Sequence, residues 1–184
     1  MPTKSQPGVF KTVVLKPDGI DSSNLWGFFV LPKRVSGLLP RRGRITVNVA
    51  VNGYSFQTML EPDGKLCHWC RLESRVLREA SIAIGDELEF KIEPLSAEPV
   101  PKPPKDFAKA LKENPSAKRV WDSATPIAQV DWIHWIESSK QTKTREERIE
   151  RACEMLESGK KRVCCFDPSG YYSKALSAPK TASV

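Results

Sequence analysis

Cys67-His68-Trp69-Cys70 gathers the residue types with the widest chemical reach in this sequence. Two thiolates in C-x-x-C spacing can chelate a soft metal or cycle as a dithiol. Zinc asks for four ligands, however, and Cys153, Cys164 and Cys165 supply no second C-x-x-C pair. A redox C-x-x-C opens a helix, where amide dipoles stabilise the thiolate. This one follows the Pro62-Asp63-Gly64 turn and enters a strand expected over 65–72. Side chains alternate along a strand, so Cys67 and Trp69 would share one face and His68 and Cys70 the other. Strand packing is the expectation, with no resident metal and no cofactor.

The other reactive residues point the same way. Cys164-Cys165-Phe166 reads as a short apolar segment docking beyond the last helix rather than a vicinal soft-metal pair. His68 and His134 are the two histidines of the chain, too few for a multi-histidine centre. His134, between Trp132 and Trp135, reads as a packed helix residue. No Gly-rich phosphate loop, nucleophile elbow or paired-acid motif occurs, so no catalytic residue is assigned and the chain is expected not to be an enzyme.

Charge offers a second kind of chemistry. Lys plus Arg number 29 against 22 acids, a net +7, spread as +3 over residues 1–95 and +4 over the remainder. Such a balance favours acidic partners at long range. The run Lys33, Arg34, Arg41, Arg42 and Arg44 has no acid between Leu31 and Glu61, and could meet phosphates. It lacks interleaved aromatics for base stacking, and also reads as a solvated loop. A pocket binder would instead place His68, Trp69, Arg75 or Arg78 near the mouth of an apolar cavity at a barrel end or against the linker.

The elements that must position these residues follow from pattern. Hydrophobic residues are 40% and charged residues 28% of 184, ordinary for a globular chain. The longest apolar run, Leu25 to Leu31, is far short of the roughly 20 residues of a spanning helix, so no membrane insertion is expected. No secretory signal is legible, and five cysteines are odd in number and sparse, so reduced thiols and a cytoplasmic location are expected.

Val9–Lys16, Leu25–Leu31, Arg44–Val51, Tyr54–Leu60, Lys65–Leu72 and Glu87–Ile92 read as strands. Asn52-Gly53 supplies the positive-φ pair of a tight hairpin turn. Pro32 opens a helical turn, and Ser74–Ala80 a short helix. Five prolines within Pro94–Pro104 then mark a semi-rigid connector. Beyond it, helices are expected over 106–113, 116–123, 125–140 and 144–158. Asn114-Pro115 and Thr125-Pro126 punctuate them, Thr144 through Glu147 has capping-box spacing, and Gly159 is the stop. On the third of these helices, Ile127, Val130, Ile133 and Ile136 are expected to form an apolar stripe flanked by Trp132 and Trp135; on the last, Ile149, Ala152, Cys153 and Leu156 share one face. The small, polar tail from Ser173 is expected to be disordered.

Several segments carry a family resemblance. Phe107-Ala108-Lys109-Ala110-Leu111, Asn114-Pro115-Ser116-Ala117, Trp121-Asp122, Trp135 to Lys140, Thr144-Arg145 through Arg148-Ile149 and Met155 to Lys161 are similar to the helical domain of the bacteriocin-protection, YdeI or OmpD-associated family. Phe28 to Pro32, Val51-Asn52-Gly53, His68-Trp69 and Ile84 to Leu88 resemble a bacterial domain family of unknown function that commonly precedes it. The latter resemblance implies a fold like the AbrB/MazE swapped-hairpin barrels. The former implies a role in tolerance of envelope-active peptides.

The expectation is therefore an α+β protein: a small closed β-barrel of double-split type followed by a small all-α domain. Its parts are the barrel (8–93), a proline-rich linker (94–105), the helical domain (106–163) and a C-terminal tail (164–184). The expected function is non-enzymatic binding or an accessory role, linked by the resemblance to envelope stress. The partner is an unknown small molecule or protein, the chain a monomer. Nucleic-acid binding through the basic loop is the alternative.

Overall fold

In a computed structural model, residues 8–163 and 176–182 are described. The chain divides into two compact units, residues 1–97 with 176–184 and residues 98–175. In the first, strands β1 (Gly8–Val13), β2 (Gly27–Val30), β3 (Ile45–Val51), β4 (Tyr54–Pro62), β5 (His68–Leu72) and β6 (Glu87–Pro94) are antiparallel in the order β1-β6-β3-β4-β5-β2. Leu15, just past β1, exchanges backbone hydrogen bonds of 2.8 and 2.9 Å with Phe28 of β2, which nearly closes the sheet into a barrel. Short helices α1 (Lys33–Ser36) and α2 (Ser74–Glu79) link β2 to β3 and β5 to β6.

Alternation explains the core. Ile45, Val47, Val49 and Val51 of β3 all point inward and are buried. They meet Phe10, Phe29, Leu60, Cys70, Leu72, Phe90 and Ile92. Asn52 (φ 49°) and Gly53 (φ 77°) turn β3 into β4, setting Val51 opposite Tyr54 and Ile45 opposite Leu60. The strand expected from Lys65 starts only at His68. Asp63 instead accepts the amides of Lys65 and Cys67 at 2.7 and 2.8 Å, and this side-chain turn holds 63–67 out of the ladder.

The second unit contains α3 (Lys105–Glu113), α4 (Pro115–Ser123), α5 (Pro126–Glu137) and α6 (Thr142–Glu157). The Asn114 side chain accepts the Ala117 amide at 3.0 Å and that of Thr125 accepts Ala128 at 3.3 Å, so each caps the helix its proline begins. Phe107, Leu111, Trp121, Trp132, Ile136, Ala152 and Leu156 form the core.

One expectation fails in this unit. Helix α6 starts at Thr142 with no side-chain cap, so Thr144 already lies inside its first turn and the capping box does not form. Helix α5 buries Ala128, Gln129, Trp132, Trp135 and Ile136, while Ile127, Val130 and Ile133 are half-buried. The face is turned away from the isoleucine stripe because the larger indoles take the interior.

The tail is also corrected in part. Residues 176–182 join the first unit through backbone hydrogen bonds to Lys16 and Asp18, whereas the segment of Cys164, Cys165, Phe166 and Ser173 lies outside the described residues.

Candidate functional site

His68 is buried at the start of β5, its relative exposure 1%. Its Nε2 lies 3.1 Å from the Gly43 carbonyl, which can only accept, so the proton sits on Nε2. Nδ1 then accepts the hydroxyl of buried Ser36 at 2.5 Å. One ring thus ties α1 and the 41–44 loop to β5. Burial lowers its pKa, opposed by the Gly43 and Arg41 carbonyls and by Asp63. Both nitrogens are occupied, which makes His68 a clamp and removes it from any pocket mouth.

The other residues expected beside it are dispersed. Trp69, on the outer face of β5, meets Phe28 edge-on at 6.1 Å. Next to it the Arg71 guanidinium lies 3.9 Å over Trp26, which in turn packs on Phe28. Neither Trp26 nor Arg71 was singled out from sequence; the signal was their alternation with Trp69 and Phe28 on adjacent strands. Arg75 is exposed and pairs with Glu79 one turn on, at 3.5 Å.

Arg78 lines a concavity. Leu25, Ser74, Leu77, Arg78, Ile82, Ala83 and Ile84 surround a groove of about 420 Å³ between α2 and the approach to β6. Leu77 packs inward because it lies on the buried face of α2, and Ile82 accompanies it because the Ile82 amide bonds back to the Leu77 carbonyl. The floor is apolar, and Arg78 stands on the α2 wall.

Of the basic run, Lys33, Arg34, Arg41 and Arg42 are exposed, with Arg34 reaching the Val9 carbonyl at 3.4 Å. Arg44 does not join them. It is 3% exposed, and its Nε stands 2.7 Å from the Glu61 carboxylate. The hairpin register explains this: Ile45 faces Leu60, so one residue further out Arg44 faces Glu61. The register was legible in advance, and extending it by one position would have found the pair.

The thiols follow the same pattern. Cys70 is fully buried, and burial pushes its pKa far above the ordinary thiol range; burial raises Cys153 as well. Cys67 precedes the strand and is half-buried. Among the described residues no cluster of His, Cys, Asp and Glu could hold a metal ion.

The architecture is thus that of a two-unit α+β protein whose first part is a nearly closed six-stranded antiparallel barrel. Residues 10–92 match the family model described as Domain of unknown function (DUF1905), and residues 101–159 match that of the Bacteriocin-protection, YdeI or OmpD-Associated family. The two matches meet the barrel and the helices respectively. No curated protein matches the chain. Among the described residues no helix is long and apolar enough to cross a membrane.

Proposed function

We propose that this chain is a non-enzymatic binding or accessory protein whose ligand sits in the α2 groove. The observation that carries this is the pairing of an apolar floor with the Arg78 cation in one concavity. It suits an apolar body bearing one anionic group. A net charge of +7 repels cationic amphipathic peptides at long range, so a part in envelope tolerance would run through a neutral or anionic ligand rather than capture of such peptides. Free thiols at Cys67, Cys70 and Cys153 support a reducing, cytoplasmic compartment. The strand order has three strands on each side of the β3–β4 seam, which supports the double-split reading of the barrel and a monomer that closes within one chain.

The test is titration with 8-anilinonaphthalene-1-sulfonate, an apolar body with one sulfonate. Saturable binding should weaken roughly tenfold in Arg78→Gln, the loss of one charge-assisted contact, and hold in Arg75→Gln. Equal loss in both variants, or binding that never saturates, would sink the groove.

A second reading rests on Lys33, Arg34, Arg41 and Arg42, which stand exposed on α1 and the loop after it. If these four meet phosphates, duplex DNA binding should fall with salt at a log–log slope of about −4 and weaken for every sequence in Arg41→Ala/Arg42→Ala. No retention at low salt removes this reading and leaves the groove.

A further inference from the structure

Between β1 and β2 the chain is paired with its own C-terminal segment. Pro17 stands opposite Thr181 in an antiparallel bridge. The Asp18 amide donates to the Lys180 carbonyl at 2.8 Å, and the Ala182 amide donates to the Lys16 carbonyl at 2.9 Å. In this register the residue between the two hydrogen bonds needs no N–H of its own. Proline is therefore tolerated at 17, while Lys16 and Asp18 supply the acceptor and the donor. Pro17 is buried although it lies outside the barrel's core cluster. Gly64 lets the segment pass: a Cβ there would stand 3.0 Å from the Leu176 carbonyl oxygen.

We propose that Lys16–Asp18 is a strand-addition site for an extended peptide, filled in cis by Lys180–Ala182. Strand addition takes its affinity from main-chain hydrogen bonds and its selectivity from what the flanking side chains allow. Here the close approach at Gly64 is to backbone, the Leu176 carbonyl oxygen and the Ser177 Cα, so an extended main chain rather than one side chain is what passes. A tethered segment acts at an effective concentration on the order of millimolar. Each hydrogen bond shifts the population only about two- to tenfold, so the hold is exchangeable. An outside segment of the same chemistry gains the site by displacing the tail. The charge chemistry of the groove plays no part in this, so the site stands or falls independently of the proposed function.

Hydrogen exchange on the full chain tests it. Ala182→Pro deletes one donor and should speed exchange at the Asp18 amide roughly three- to tenfold, with the amides of the β3–β4 hairpin unchanged. Gly64→Ala should do the same by collision with the tail. Gly53→Ala carries the same backbone strain, φ 77° against 76°, meets nothing within 4 Å, and should leave Asp18 protected. A synthetic peptide of residues 176–184, added at millimolar concentration to the Ala182→Pro chain, should restore protection and leave the wild type unchanged. An Asp18 amide that exchanges equally fast in wild type and Ala182→Pro, or a peptide that restores nothing, would overturn the proposal. A dimer that forms with rising concentration and is lost in Ala182→Pro would overturn the cis arrangement, because a second copy would then donate the strand.

Discussion

Phe29→Ala should cost the barrel about 3–5 kcal/mol, the range for emptying a fully buried aromatic site. Phe29 is inaccessible to solvent, and its ring centroid lies 4.3 Å from that of Phe90 on β6 and 5.8 Å from that of Phe10 on β1. These contacts span the interior between β2 and the strands at the opposite end of the sheet order. Where β1 approaches β2, the Leu15–Phe28 bridge alone supplies hydrogen bonds among the described residues, so side-chain packing has to hold this seam. A domain of this size has about 5–15 kcal/mol in total, and the loss would bring the barrel close to unfolding. Urea denaturation should show it directly, beside Val9→Ala at a 45% exposed β1 position, where about 0.5 kcal/mol is expected. Similar costs at the two positions would mean that the aromatic cluster does not hold the seam.

His68→Leu should cost about 2–4 kcal/mol, since it leaves the buried Ser36 hydroxyl without its acceptor and strips the Gly43 carbonyl of its donor. Adding Ser36→Ala should recover part of this loss, because removing both partners is cheaper than orphaning one. Strictly additive costs would show that the two side chains do not act as a pair. The pH dependence has a definite sign. Burial lowers the folded-state pKa of His68 below its unfolded value of about 6.5, so the unfolded chain binds the proton first. The stabilisation is complete above that value and drains away as pH falls below it toward the depressed folded pKa. Urea midpoints should decline over that window in the wild type and flatten in His68→Leu. A midpoint that rises on acidification would contradict a neutral, Nε2-protonated ring.

Legibility differed between helices of similar strength. In α6 the residues Ile149, Ala152, Cys153 and Leu156, joined only by Met155, stand among charged and polar neighbours, so spacing identifies the buried face, and all four are buried. In α5 apolar residues occur all round, and periodicity has no contrast with which to choose a side. The choice fell to the indole of Trp132, which fills the interior and donates to the Lys161 carbonyl at 3.3 Å. The candidate site divides in the same way. Strand alternation puts His68 and Cys70 on one face, as found, but that this face is the buried one was settled by the barrel and not by the alternation. The partners of His68, Ser36 and Gly43, lie 32 and 25 residues earlier and leave no local trace.

By itself the sequence determined the hairpin at Asn52-Gly53, the helix break at Asn114-Pro115, the helix start at Pro126, and the proline-marked change from strand to helix composition. Each rests on local chemistry: a positive φ, a missing N–H, a side chain that caps the next turn. Tertiary structure alone decided that Leu25 meets α2 across the groove beside Arg78, and that Lys180–Ala182 returns to Lys16–Asp18. Those outcomes join residues distant in sequence, and small polar side chains leave no periodic mark, so only the closing of the barrel could bring them together.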